Sequence, residues 1–316
     1  MNLTHKPNEI PIFRTYNAPI NKVWEAWVDP KQVGEWWGPR GFTITTKRKD
    51  VRTGGDWLYT MHGPDGTDYP NHTQFLEVET GKRLVYDHGG FEDRPPMFRV
   101  TVSFSEKNGK TEMEMTMGFP SAEEANQARV FIKSAGGDAT WDRLAEFLEK
   151  QSTGKEIFVI NRSMETNLKT IYHVWTNKDH LLKWLGPTGF TGTFHKADMH
   201  VGGETFYSMT NGDLTMYGKT KYLELEEPNR IVYLQNFADK DGNISRHPMS
   251  PTWPETMKTT VSFQKETSEQ TRITIEWEVF GNATTEEYNT FKEAKAGMTQ
   301  GWTGSLDKLE EYLQSI

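Results

Sequence analysis

Nine histidines, 11 tryptophans, 11 tyrosines and no cysteine set the chemistry open to this chain. The missing thiol removes disulfides, thiolate metal sites, iron–sulfur clusters and cysteine nucleophiles together. His195 and His200 are five apart in a segment that reads as strand and turn, which puts them on opposite faces. Solvated or locally bonded histidines are expected there. His173 and His180, seven apart beside a short helix, can share a face, but no third ligand is evident. No metal and no cofactor are therefore expected. Glu112 and Glu114, like Glu276 and Glu278, alternate along strands and are expected on solvated sheet faces. Asp50 and Asp198 stand before Gly-Gly pairs, where a turn role outranks catalysis. Dinucleotide, P-loop, nucleophile-elbow and His-Glu-x-x-His motifs are absent, and no nucleophile, base and orienter come together. No catalytic residue is assigned.

What remains is a supply of aromatic and methionine side chains at inward-facing positions. Trp57, Tyr59, Met61, Tyr69, Met113, Met115 and Trp141 are the candidates for lining a pocket in the first half. Tyr207, Met209, Tyr217, Trp277 and Trp302 are those of the second. Their simplest use is an ordinary core. The alternative is a partly hollow one, in which adaptable methionines and aromatics accept an apolar ligand. For a reaction in such a space, Tyr59, Tyr69, Tyr207, Tyr217 and His62 are the polar candidates.

The elements that hold these residues occur twice. Trp36-Trp37-Gly38-Pro39-Arg40-Gly41-Phe42-Thr43 returns as Trp184-Leu185-Gly186-Pro187-Thr188-Gly189-Phe190-Thr191, a shift of 148. The same shift carries Trp27 to Trp175, Asp50 to Asp198, Tyr59 to Tyr207, Met61 to Met209 and Tyr69 to Tyr217. Thr101-Val102-Ser103-Phe104 matches Thr260-Val261-Ser262-Phe263 at 159, and Leu144 matches Leu309 at 165. The extra residues fall mostly in a loop around Asp239 to Asn243. A repeat of about 150 residues is a domain and not a solenoid module. The expected domains are 1–151 and 155–316.

Within one unit the hydrophobic period changes in order. Ile20, Val23, Trp24 and Trp27 lie on one helical face, which Asp29-Pro30 ends; Lys31 to Trp37 reads as a second short helix. From Phe42 onward the period is two, as in Trp57, Tyr59 and Met61, or Met113, Met115 and Met117. Lys107-Asn108-Gly109-Lys110 is a hairpin turn. Ser121-Ala122-Glu123-Glu124 opens a closing helical segment as a capping box, with a break expected at Gly136-Gly137. Thr285 is the expected N-cap of the corresponding segment in the second unit. Helices gathered around an antiparallel sheet make the fold α+β.

Composition narrows the partners. Lys and Arg number 36 against 44 Asp and Glu, a net charge of −8, which argues against nucleic acid or an anionic membrane surface. No apolar stretch approaches the roughly 20 residues of a membrane span. The start of the chain lacks the apolar region of a signal peptide, so a cytoplasmic location is expected.

These residues resemble a known family. Val23-Trp24-Glu25-Ala26-Trp27, Trp36-Trp37-Gly38-Pro39, Asp50 to Gly55 and Gly63-Pro64-Asp65-Gly66 are similar to the activator of Hsp90 ATPase homologue type of domain. That is a branch of the START-like, or SRPBCC, superfamily. Val174-Trp175, Trp184 to Pro187, Asp198 to Gly203 and Thr259 to Phe263 carry the resemblance a second time. It implies two tandem helix-grip domains, each a curved antiparallel sheet wrapped around a long C-terminal helix with a cavity between. Members of the superfamily bind lipids, sterols, polyketides or other hydrophobic molecules, and some are enzymes. The co-chaperone that names the branch has a separate N-terminal domain; no counterpart of it is expected here, and neither is stimulation of Hsp90.

The leading expectation is thus a binding protein in which each unit holds a small hydrophobic or amphipathic molecule in a cavity between sheet and long helix. A chaperone-associated interaction protein and an enzyme on small aromatic or polyketide-like substrates are the alternatives. A monomer whose two domains pack as an intramolecular pseudo-dimer is expected. The second unit departs from the first at Leu185 for Trp37, Asn177-Lys178 for Asp29-Pro30 and His200 for Arg52. Two cavities of different preference, or one purely structural unit, would follow.

Overall fold

A computed structural model describes residues 6–90, 95–134, 139–186 and 188–316. The chain divides into two compact units, Met1–Gly154 and Lys155–Ile316. The first runs β1 (Glu9–Tyr16), α1 (Ile20–Val28), α2 (Pro30–Trp36), β2 (Thr43–Lys49), β3 (Asp56–His62) and β4 (Asp68–Glu79). It continues with β5 (Arg83–His88), β6 (Phe98–Lys107), β7 (Lys110–Gly118), α3 (Ala122–Ser134) and α4 (Ala139–Thr153). The second runs β8 (Ile157–Met164), α5 (Leu168–Thr176), α6 (Lys178–Trp184), β9 (Thr191–Ala197), β10 (Glu204–Asn211) and β11 (Leu214–Glu226). After it come β12 (Arg230–Ala238), β13 (Met257–Lys265), β14 (Thr271–Val279), α7 (Thr285–Glu293) and α8 (Lys295–Leu313).

Each unit is one antiparallel sheet of seven strands, ordered β1-β7-β6-β5-β4-β3-β2 and β8-β14-β13-β12-β11-β10-β9. The long strands form a meander, and the first strand of the unit returns to pair with the last. Bulges at Thr46/Arg48 and Phe75/Glu77, and at Phe206/Tyr207 and Tyr222/Glu224, bend the sheets. The inner faces then close on the final helix. Trp141, Leu144 and Leu148 are buried on α4, and Trp302, Leu306 and Leu309 on α8. This is the α+β helix-grip architecture, in tandem.

Local chemistry explains the joints. Asp29 both ends α1 and caps α2, accepting the backbone N–H groups of Lys31 and Gln32 at 2.8 and 2.9 Å. Asn177 repeats this between α5 and α6 by accepting from Asp179 and His180. Asn108 (φ 53) and Gly109 (φ 73) take the left-handed backbone that a two-residue hairpin needs. The turns after Asp50 and Asp198 require glycine, since a Cβ on Gly55 or Gly203 would lie 2.2 or 2.3 Å from the carbonyl oxygen of Asp50 or Asp198. Ser121 and Glu124 exchange the two hydrogen bonds of a capping box, both at 3.2 Å.

Several expectations change. The N-cap of α7 is Thr284 and not Thr285, because Glu287, three residues after Thr284, returns a hydrogen bond to its backbone N–H at 2.7 Å. Position 288, three after Thr285, is a tyrosine and cannot do so. Glu278 is not a freely solvated carboxylate: Lys155 and Lys258 donate to it at 2.8 and 2.6 Å. Burial acts to raise its pKa, but the two ammonium groups outweigh that and leave it lowered. The break expected at Gly136-Gly137 lies outside the described residues.

Candidate functional site

The inner faces of the two sheets can be matched through their ladders. In the first unit Trp57 pairs with Thr73, Phe75 with Tyr86 and Tyr86 with Val100. In the second Thr205 pairs with Thr220, Tyr222 with Tyr233 and Tyr233 with Thr259. Thr205 therefore stands where Trp57 does, Tyr222 where Phe75 does and Thr259 where Val100 does. With Leu185 in place of Trp37, two indoles are lost and three hydroxyls gained.

In the first unit the two indoles fill the space. Trp37 packs edge-on against Trp57 with ring centroids 5.0 Å apart, and Trp57 stacks on Tyr59 at 4.0 Å. The Trp37 indole N–H donates to the Tyr59 hydroxyl at 3.1 Å. Trp27 stacks on Trp141 from α4 at 5.3 Å and 9°. Trp57, Tyr59, Met113, Met115 and Trp141 are buried core residues, Met61 is partly buried, and Tyr69 is 45% exposed. Tyr69 stays at the rim with its ring 6.0 Å from Phe42. His62 lies on the surface side, bonded to Thr45 and Asp68.

In the second unit the same region is hollow. A cavity of about 290 Å³ lies between β9–β12, β14 and α8, and Tyr207, Met209, Tyr217, Trp277 and Trp302 all border it. Leu185, Thr205, Tyr222, Tyr233, Gln235 and His247 also line it. A second hollow of about 370 Å³ adjoins it, sharing Gln235, Phe237, His247, Trp277 and Met298. It reaches toward Trp253 in the segment between β12 and β13, where the second unit carries its extra residues. Trp175 and Trp302 keep the stack seen between Trp27 and Trp141, at 6.2 Å and 13°, so the tryptophan frame survives around the opening.

Gly218 shapes the floor. A Cβ there would lie 2.5 Å from the Tyr207 ring, so the ring lies against the bare backbone of β11. The hydroxyl of Tyr207 accepts a hydrogen bond from Gln235 Nε2 at 3.1 Å. Thr205 and Thr220 share a hydrogen bond across the strands. Burial pushes the phenols of Tyr207 and Tyr222 up to about 12, and Tyr233 higher still, so all three stay protonated near neutrality. His247 accepts the backbone N–H of Met249 on Nδ1 at 3.0 Å, which leaves its ring proton on Nε2. Its ring lies 4.3 Å from that of Phe237, and burial lowers its pKa. Among the described residues, none lining the first hollow is an aspartate, glutamate, lysine or arginine.

Tyr217 borders the cavity from β11 with its ring on the outer face, stacked on Phe206 at 5.9 Å. Its ladder partner Ser208 bonds to His195 on that face. His200 bonds to its neighbour Val201 and to Asp198. His173 and His180 do meet, with rings 5.0 Å apart, and His180 then bonds to the hydroxyl of Tyr312. Among the described residues no group of three or more histidines and carboxylates is placed to hold a metal ion.

A seven-stranded antiparallel sheet closed on a C-terminal helix, hollow between them, defines a helix-grip protein. This chain belongs to the family of activator of Hsp90 ATPase homolog 1-like proteins, whose model matches residues 17–149 and 165–314. It is similar to the heme transporter BhuA of Brucella abortus, 30% identical over 118 residues, which is 34% of this chain and 18% of that protein. The chain thus spans under a fifth of the length of such curated relatives. Among solved structures, a protein of Staphylococcus epidermidis is 26% identical over 48% of this chain and 95% of its own, with a TM-score of 0.43. One of Nitrosomonas europaea is 22% identical over 47% and 98%, also at 0.43. The di-domain ARO/CYC protein BexL matches 96% of this chain and 98% of its own at 10% identity and a TM-score of 0.39. Among the described residues no helix is long and apolar enough to cross a membrane.

Proposed function

We propose that this chain binds one small hydrophobic or amphipathic molecule, held between sheet and helix in the second unit, while the first unit is a closed structural partner. The observation that supports this most is the paired exchange of Trp37 for Leu185 and Trp57 for Thr205. It turns a packed aromatic core into a hollow of about 290 Å³ lined by aromatics and Met209. An apolar ligand entering it would replace contacts the surrounding rings otherwise lack.

Native mass spectrometry of the full chain, purified from its own host, tests the reading. The expected result is one added small molecule per chain, released on mild denaturation. Two molecules per chain would contradict the closed first unit. No bound molecule, together with no thermal shift across a library of lipids and aromatic compounds, would remove the proposal.

A further inference from the structure

Within the cavity, the polar groups are neither random nor charged. The first unit carries Met117 opposite Val100, whereas the second carries Trp277 opposite Thr259 at the same ladder position. Trp277 borders both hollows, yet its indole N–H has no hydrogen-bond partner among the described residues. A buried donor without an acceptor costs free energy, so its persistence beside an open space is informative. The indole N–H of Trp175 is also unpartnered, but so is that of its counterpart Trp27 in the filled unit. That pair belongs to the shared frame; Trp184, unpartnered where its counterpart Trp36 donates to Ala26, does not border the hollow, whereas Trp277 borders it and stands where the first unit has no indole.

The other polar atoms point the same way. Tyr207, Tyr222 and Tyr233 line the cavity as neutral phenols, and Gln235 is committed to Tyr207. A carboxylate or phosphate placed here would meet donors but no cation, and would lose its water shell without a counter-charge. In the first hollow an ammonium would meet no carboxylate, Glu255 lying on the wall of the second. A neutral oxygen on a flat ring system meets both requirements: aromatic walls for the ring, and an indole N–H for the oxygen.

We infer that the second unit selects an uncharged aromatic ligand bearing a hydrogen-bond-accepting oxygen, a ketone being the simplest case, with Trp277 as the donor that fixes its orientation. This rests on the cavity reading above and narrows it. Three probes of nearly equal shape separate the possibilities: 2-acetylnaphthalene, 2-isopropylnaphthalene and 2-naphthoate. Calorimetric titration of the full chain at pH 7.5 should detect the ketone, with the carboxylate at least about a hundredfold weaker. Trp277→Phe keeps a ring in place and should weaken the ketone about fivefold while moving the isopropyl compound less than about twofold. Tyr222→Phe restores the residue of the first unit and should cost the ketone about two- to fivefold, again sparing the isopropyl compound.

Equal losses for ketone and hydrocarbon in both variants would reduce these residues to packing and overturn the inference, leaving the cavity reading intact. Carboxylate binding as tight as the ketone would overturn it as well. Failure of all three probes to bind the unaltered chain would count against the cavity itself. A melting curve for each variant separates lost binding from lost fold, and Tyr222→Phe carries the test alone where Trp277→Phe unfolds.

Discussion

Trp57 and Thr205 occupy the same rung of two sheets that share strand order, bulge positions and a stacked tryptophan pair at the base. One position contributes an indole that packs Trp37 and Tyr59, the other a hydroxyl that turns sideways to Thr220. The loops after the short second helix of each unit differ in parallel. In the first, Arg143 on α4 gathers the carbonyl oxygens of Gly38, Pro39 and Phe42 at 2.8, 3.0 and 3.2 Å. Arg40 from the same loop pairs with buried Glu146 at 2.7 Å. In the second, α8 offers Ser305 and Lys308, which among the described residues reach the carbonyl of Gly186 at 3.0 and 3.2 Å. Among the described residues the filled unit therefore also shows more of these loop anchors. On the proposed reading, the unit that admits a ligand would give up both core volume and loop anchors at that place.

The sharpest way to break that contrast is to hollow the closed unit. Trp57→Thr imports the second unit's residue without the rest of its cavity lining, and should destabilise the first unit by about 4 kcal/mol. Hydrogen exchange of the full chain, read peptide by peptide, should show the loss in β2–β5 with β9–β12 unchanged. Equal protection in both would mean that Trp57 is not what fills the first core.

The converse change fills the open unit. Leu185→Trp together with Thr205→Trp should lower the affinity for an aromatic ligand at least about a hundredfold, since its volume is then occupied by protein. Calorimetry with a ligand found by the native mass spectrum measures this. Undiminished affinity would move the binding site elsewhere.

A third difference is electrostatic. His88 pairs with Thr73 at the rung where the second unit has Gln235 with Thr220. Its ring stacks on Phe98 at 4.8 Å, and burial lowers its pKa from 6.5 to about 4. The unfolded chain binds the proton more readily, so this stability is present in full above about pH 6.5 and is lost as the pH falls through about 4. The loss should amount to about 3 kcal/mol, confined to the first unit. His88→Gln should flatten the pH dependence of exchange in β5 and β6 across that interval; an unaltered slope would assign it to other groups.

How much of this was readable in the sequence differs by level. The repeat, the alternating strands, the Asn108-Gly109 hairpin and the Ser121 cap follow from local patterns, and local patterns survive into the fold. The hollow depends on register, which they do not carry. Tyr69 and Tyr217 share a shift of 148, yet the ladders pair Tyr69 with Met61 and Met216 with Met209. The first hairpin turns over residues 63–67 and the second over 212–213, so the match slips by one and exchanges the faces. The final helices slip differently. Trp302 takes the place of Trp141 at a shift of 161, one turn away from the 165 that aligns the leucines. A one-turn slip preserves an apolar stripe, so periodicity cannot detect it. Leu185 was visible as a departure from Trp37; Thr205, Tyr222, Gln235 and His247 became site residues only once the rungs were matched. The best signal available for them was the exchange of Trp57 for Thr at that same 148 shift.

The smallest contrast lies in the caps. Both units open their closing helical segment with a capping box, Ser121 with Glu124 and Thr284 with Glu287. In the second unit Glu287 does more, because its carboxylate also pairs with Arg246, whose guanidinium donates to the carbonyl of Trp253 at 3.3 Å. Arg246 adjoins His247, so the cap and the wall of the second hollow share an anchor. Those bonds lower the pKa of Glu287, the backbone N–H of Thr284 contributing most. Ser121→Ala and Thr284→Ala should each cost about 1 kcal/mol of stability, by the loss of one cap. Their effects on the ligand should part: Thr284→Ala loosens the segment around His247 and weakens binding about twofold, whereas Ser121→Ala leaves it unchanged. Melting curves and calorimetry on the two variants measure both quantities, and a binding loss shared by the two would show that the units are not independent in the way their cores suggest.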